Sequence, residues 1–458
     1  MDGEERAQRA VRARVAAREL TARGVTAAAL TWVDLGGIVR VKTVPVGRLE
    51  RAAAWGVGFS PVFDVFLPDD TILTGRHAGG PLGDLRLHPD LDRLIVLGAP
   101  EGWAWAPADR YDQEGAPHPH DTRLLLRREV ERLAEEGLGV RAAFEVEWVV
   151  SDGPGDAYTP AARGPAYGMA RVAELPEYLR DVLVALAAAG VEVEQLHPEY
   201  TAGQYEVSVM AEDPIGAADT AVLVRETIRA VTLRHGMRPS FSPKVEVDGV
   251  GNGCHVHLSL WRGMTNLMAD GPGFYGMRPE GESFMAGVLA RLPALSALGC
   301  PAVASYLRLV PAHWAGAFAC WGLENREAAM RFVTGPAGLR SEAANVEVKC
   351  FDAAANPYLA LAALLAAGRD GLTRKARLPD PVNADPAALD DTERAVRRVT
   401  RLPSTLAEAI DAFEADPVLR EALGASLAET VVDVRRGEIA RCEGATPEEV
   451  VARTRWRH

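Results

Sequence analysis

The chain of 458 residues is 48% hydrophobic and carries a formal net charge of −13, enough apolar material for a large core and normally more than one domain. The acidic balance argues against a nucleic-acid surface, and no uninterrupted apolar run is long enough to cross a bilayer. Five cysteines (Cys254, Cys300, Cys320, Cys350 and Cys442) without a C-x-x-C pair suit reduced thiols in a cytoplasm.

Residues 6–23 are Arg-rich, but Glu4, Glu5 and Glu19 interrupt the basic pattern, so an amphipathic helix is expected there rather than a transit peptide. Residues 25–46 read as two strands around the turn Gly36-Gly37, residues 56–70 as a loop, and residues 84–97 as another strand-and-turn unit. Residues 98–121 are dense in Gly, Pro and aromatics and read as a domain connection. The division expected is a small β-rich domain over 1–110 and a larger one over 111–458.

In the larger part, helical spacing runs over 124–138 and a strand follows over 141–150. A helix over 176–189, strands over 191–195 and 204–210, and a long helix over 213–235 come next. Then follow a strand over 253–261, a helix over 283–298, a strand over 346–351 and an Ala/Leu-rich helix over 356–367. Roughly the last 80 residues carry helical start and stop signals.

The strand over 141–150 organises the rest. Side chains alternate along a strand, so Glu145 and Glu147 share a face while Phe144, Val146 and Trp148 take the other. Two neighbouring carboxylates repel unless a cation lies near them. Further hard-cation ligands stand in three other segments: Glu199 and Glu206 in EYTAGQYEVSV, His255 and His257 in GNGCHVHLSLW, and Glu347 with Lys349 in NVEVKCFD. Carboxylates with imidazole are a ligand set for Mg²⁺ or Mn²⁺. Arg308 in SYLRLVP, and Arg326 and Arg331 in ENREAAMRF, are the residues that phosphate and carboxylate oxygens select. Phosphoryl transfer fits this inventory, yet neither a P-loop nor a G-x-G-x-x-G turn is present.

The ordered set FEVEW, EYTAGQYE, GNGCHVHLSLW, SYLRLVP, ENR and VEVKCFDAAANPYLALAA resembles the glutamine synthetase family over nearly the whole chain. The resemblance implies an α+β fold, with a small N-terminal β-grasp domain and a larger catalytic domain whose antiparallel sheet forms a funnel flanked by helices. It implies ATP as cosubstrate, two or more Mg²⁺ or Mn²⁺ ions per active site, and a ring-shaped homo-oligomer, possibly a dodecamer, with sites between subunits. Glu147, Glu199 and Glu206 would hold one metal, and Glu145, His255 and Glu347 the other. His257 and Ser259 match nucleotide contacts, Arg308, Gly251 and Lys349 the acid substrate, and Arg326 and Arg331 the phosphates.

Two departures bear on the amine. Where glutamine synthetases proper carry an aspartate that helps deprotonate ammonium, this chain has Ser60, with Asp64 the alternative acid; where they carry a flap glutamate, it has Trp314. Losing two anions disfavours ammonium, and an indole offers a face to an organic ammonium. Val250 replaces an expected asparagine, and Lys349 and Asn345 replace arginines. The reading is a ligase that makes γ-glutamyl phosphate and passes the acyl group to a primary organic amine such as ethanolamine or a polyamine. The alternatives are a glutamine synthetase using ammonium and a non-catalytic nucleotide or amino-acid sensor.

Overall fold

The computed structural model describes residues 3–458. Six strands build the first sheet: β1 (Ala27–Val33), β2 (Val39–Pro45), β3 (Val57–Phe59), β4 (Leu85–Pro89), β5 (Ile95–Val96) and β6 (Trp103–Tyr111), in the order β2-β1-β6-β4-β3 with β5 on β6. The hairpin β1-β2 turns at Gly36-Gly37 as the sequence indicates, and β6 runs parallel to β1. Ala13 and Leu20 of the helix Gly3–Ala22, and Leu49 and Ala53 of the helix Leu49–Trp55, join Leu30, Leu87 and Ala106 in a core of their own.

The stretch 98–121 is more than a connection. It contains β6, a middle strand of this sheet. Its Gly and Pro residues hide a strand buried on both faces, with Ala104, Ala106 and Ala108 in the small core and Trp105 on the other side in the large one.

The second sheet has ten strands: β7 (Gly139–Ser151), β8 (Val193–Pro198), β9 (Gln204–Val209), β10 (Arg238–Ser240), β11 (Cys254–Arg262), β12 (Thr265–Asn266), β13 (Phe318–Leu323), β14 (Ala328–Val333), β15 (Asn345–Val348) and β16 (Thr400–Arg401). Its main path is β16-β13-β14-β15-β11-β7-β9-β8, and every pairing along it is antiparallel except β13 with β14. The antiparallel expectation therefore has one exception. The strand expected over 346–351 is also shorter, ending at Val348, although the Lys349 amide still donates to Ala329 and Phe351 still accepts the Cys254 amide.

Phe144, Val146 and Trp148 of β7 are buried in the large core, which leaves Glu145 and Glu147 on the opposite face. The apolar helix Pro357–Arg374 packs against the helix Pro279–Gly299 beneath that sheet. Asn356 caps it by accepting the Leu359 amide at 3.1 Å, and its own amide donates to the carbonyls of Val33 (3.1 Å) and Asp34 (3.2 Å) and to the Thr122 hydroxyl (3.1 Å). Beside it the β1-β2 turn approaches so closely that a Cβ on Gly37, where φ is +79°, would meet the Ala354 carbonyl oxygen at 1.9 Å. One buried amide thus ties the two sheets together.

Candidate active site

Strand register assembles the site. On β15, β14 and β11, Glu347 stands opposite both Arg331 and His257. On β11 and β7, His255 stands opposite Glu145. On β7, β9 and β8, Glu206 stands opposite both Glu147 and His197. Three rows of polar side chains therefore cross one face of the sheet, with the apolar core behind it.

The rows meet. His255 Nδ1 lies 3.2 Å from Glu145 Oε1 and 3.3 Å from Glu347 Oε1, and its Nε2 lies 3.7 Å from Glu147 Oε1. His257 Nε2 is 3.2 Å from Glu145 Oε2, and its Nδ1 is 2.9 Å from the Asn345 side-chain oxygen. His197 Nε2 lies 3.0 Å from Glu206 Oε1 and its Nδ1 3.5 Å from Glu199 Oε1. Three ligand groups have the compactness a metal needs: Glu145 with Glu206 and His255, Glu145 with His257 and Glu347, and His197 with Glu199 and Glu206.

All six expected metal residues thus stand in one cluster. Glu147 Oε2 is taken by the Gly253 amide at 2.8 Å and the Gln204 amide at 3.0 Å, and Glu145 is shared between two groups. His197 and His257 complete two of these compact groups. His197 was legible in L-H-P-E, two residues ahead of Glu199 and so on the same face.

The electrostatics suit a cation. Burial, and then the carboxylates of Glu145 and Glu147, push Glu206 well above the usual carboxylate range. Burial followed by Glu147 raises Glu199 as well. Burial opposes ionisation of Glu145 and Glu347 too, but hydrogen bonds from His255 and His257 hold the first low, and Lys349 followed by His255 holds the second low. Oxygen donors dominate this set, with imidazoles completing it, so its chemistry fits Mg²⁺ or Mn²⁺.

The cluster opens into a cleft of about 620 Å³, lined among others by Arg308, Arg326, Lys349, Gly251 and Trp314. Arg308 is buried and spans the carbonyls of Cys350 (3.0 Å) and Lys349 (3.1 Å). A Cβ on Gly251 would meet Pro243 O at 2.1 Å and Arg308 Cγ at 2.9 Å, so only glycine lets the arginine lie there. Arg326 is exposed at the rim, whereas Arg331 binds Glu347 at 3.0 Å. Lys349 Nζ also binds Glu347, at 2.8 Å. The Ser259 hydroxyl accepts the Trp261 indole N–H at 2.8 Å, so it is already engaged.

Trp314 is half-exposed at the cleft. Ser60 stands outside it, in the first sheet's region, where its hydroxyl accepts the Val62 amide at the start of a short 3₁₀ turn. Nor is Asp64 a free acid. It is buried, paired with Arg110 at 2.5 Å and bonded to His118 at 2.7 Å and His120 at 3.2 Å. The exposed Asp248 lines the cleft and did not stand out in the sequence.

Comparison with known proteins agrees with this geometry. Residues 119–453 match the family described as glutamine synthetase, catalytic domain. The chain is 58% identical over 450 residues to the gamma-glutamylpolyamine synthetase GlnA3 of Streptomyces coelicolor, covering 98% of this chain and 97% of that protein. A solved structure described as a novel glutamine synthase homolog superposes with a TM-score of 0.85 at 35% identity, over 95% of this chain and 99% of its own. A GmaS/ADP complex superposes with a TM-score of 0.82 at 28% identity, over 94% and 96%. A sheet whose register gathers glutamates and histidines into one cleft, on a chain matched along almost its full length, belongs to the glutamine synthetase family of ATP-dependent carbon–nitrogen ligases.

Proposed function

We propose that this ligase joins the γ-carboxylate of glutamate to a primary amine, with a polyamine as the acceptor. In the first step a γ-carboxylate oxygen bonds to the γ-phosphorus of ATP as the bond to ADP breaks. In the second the amine nitrogen attacks the acyl carbon, the carbon–oxygen bond to phosphate breaks, and the nitrogen releases a proton. Glu145, Glu147, Glu199, Glu206, His255 and Glu347 would hold divalent ions, which would supply charge neutralisation for the transferred phosphoryl group.

The chain's own groups do the rest. Arg326 and Arg331 face the phosphates, and His257 and Ser259 the nucleotide. Arg308, Gly251 and Lys349 form the seat of the acid substrate. Trp314 offers an apolar wall and a ring face to the amine, worth about 0.5–2 kcal/mol to an organic ammonium. Asp248 receives the far ammonium of a diamine. Ser60 completes the amine pocket of a neighbouring subunit in a ring-shaped homo-oligomer.

The observation that carries this reading is the meeting of His255 with Glu145, Glu147 and Glu347 in a cleft walled by an indole. The name of the Streptomyces coelicolor relative supports a polyamine. A phosphate-release screen with ATP, Mg²⁺, glutamate and a panel of amines tests it. Release driven by putrescine or spermidine, with a weak response to ammonium, is expected. A dominant ammonium response would make the chain an ordinary glutamine synthetase, and ATP binding without turnover on any amine would make it a sensor.

A further inference from the structure

The loop that carries Trp314 is held from behind by a carboxylate outside the amine wall itself. Ala312 and Trp314 both have positive φ, 62° and 52°, a conformation that costs an L-residue about 1 kcal/mol or more. The Trp314 amide donates to Glu327 Oε1 at 2.9 Å, and the neighbouring Ala312 backbone also favours the charged form of this carboxylate. Amides turned inward by left-handed backbone form a concave seat for an anion. Glu327 follows Arg326 and precedes β14, it is only 8% exposed, and its Oε2 has no hydrogen-bond partner among the described residues. On the other side the loop rests on β14, where a Cβ on Gly316 would come within 2.9 Å of Ala329 Cα.

We propose that Glu327 is a positioning residue for amine selection: its carboxylate anchors the loop at the Trp314 amide and so keeps the indole at the cleft. The inference rests on the reading of Trp314 as the amine wall. Because its other oxygen stays dry and unpartnered, the carboxylate has little reason to be buried there apart from the loop amides.

Hydrogen–deuterium exchange of the 309–318 segment, together with steady-state kinetics on putrescine, tests this in the full-length enzyme. Glu327→Ala should speed exchange of the Trp314 amide about tenfold, the scale of one hydrogen bond to a charged group. It should raise the KM for putrescine about threefold to thirtyfold, leaving the KM for ATP within about twofold. Glu327→Gln, which keeps an acceptor oxygen, should restore most of both. Added to Trp314→Ala, Glu327→Ala should raise the putrescine KM no further. Unchanged exchange, or additive effects on KM, overturns the inference. If exchange accelerates but Trp314→Ala itself leaves the putrescine KM unchanged, the amine wall falls, and Glu327's part in amine selection falls with it while its anchoring of the loop stands.

Discussion

His197 on β8 and Glu206 on β9 are direct cross-strand partners, and their side chains meet at 3.0 Å between Nε2 and Oε1. Glu206 in turn faces Glu147 across the next pair of strands. An imidazole at the end of that row either joins the metal's ligands or orients a carboxylate that does. His197→Ala should therefore weaken Mn²⁺ binding about 10–100-fold, read by calorimetry or spin resonance with far-UV dichroism unchanged. Unaltered affinity would exclude His197 from the metal site.

Glu145 belongs to two of the three compact ligand groups at this cleft, so its loss should damage both. Glu145→Ala should lower kcat by about 10²–10³ or more and leave the protein folded, since the core face of β7 is untouched. Wild-type turnover in this variant would remove Glu145 from the reaction.

At the amine, Trp314→Glu combined with Ser60→Asp should move the preference ratio toward ammonium by restoring two anions. About tenfold is the expected scale, that of one to two kcal/mol. An unchanged ratio between ammonium and putrescine would place the amine pocket elsewhere.

Asp248 is exposed within the cleft, so it can meet a second charge without a large desolvation cost. Asp248→Asn should raise the KM for putrescine about threefold, the scale of an exposed ion pair, and leave that for a monoamine such as butylamine unchanged. Equal effects on both amines would disprove the assignment.

Burial pushes Glu438 up to about 7 from an ordinary 4.5, against the Val303 amide it accepts at 2.7 Å. The folded state thus holds a proton that the unfolded state releases, and stability falls as pH rises from 4.5 to about 7. Glu438→Gln keeps the acceptor and removes the charge. It should add about 1–3 kcal/mol of stability at pH 8 and nothing below the unfolded value, as measured by urea unfolding at both pH values. A gain that does not depend on pH would contradict the shift.

Much of this was legible because strands repeat every two residues. Glu145 and Glu147 declare a polar face by alternation alone, and the buried Phe144, Val146 and Trp148 declare the other. The β1-β2 hairpin was equally plain from Gly36-Gly37. What stayed hidden depends on pairing across the sheet. The parallel match of β13 with β14 leaves no local mark, nor does the placement of His197 against Glu206. The strand β6 was masked by composition, since Pro107 and three alanines suggest a loop until a neighbouring β1 buries them. Glu327 reads as one more charge in a polar run, and only the fold brings it under a loop thirteen residues earlier.

The buried amide of Asn356, with its grip on Val33, Asp34 and Thr122, has a mechanical consequence. A hinge between the two sheets would have to break the bonds to Val33 and Asp34 away from water, and the Gly37 contact leaves no slack for sliding. Admission of substrates and retention of a water-sensitive acyl phosphate therefore fall to local rearrangement at the rim of the funnel, with the two halves of the chain travelling as one body.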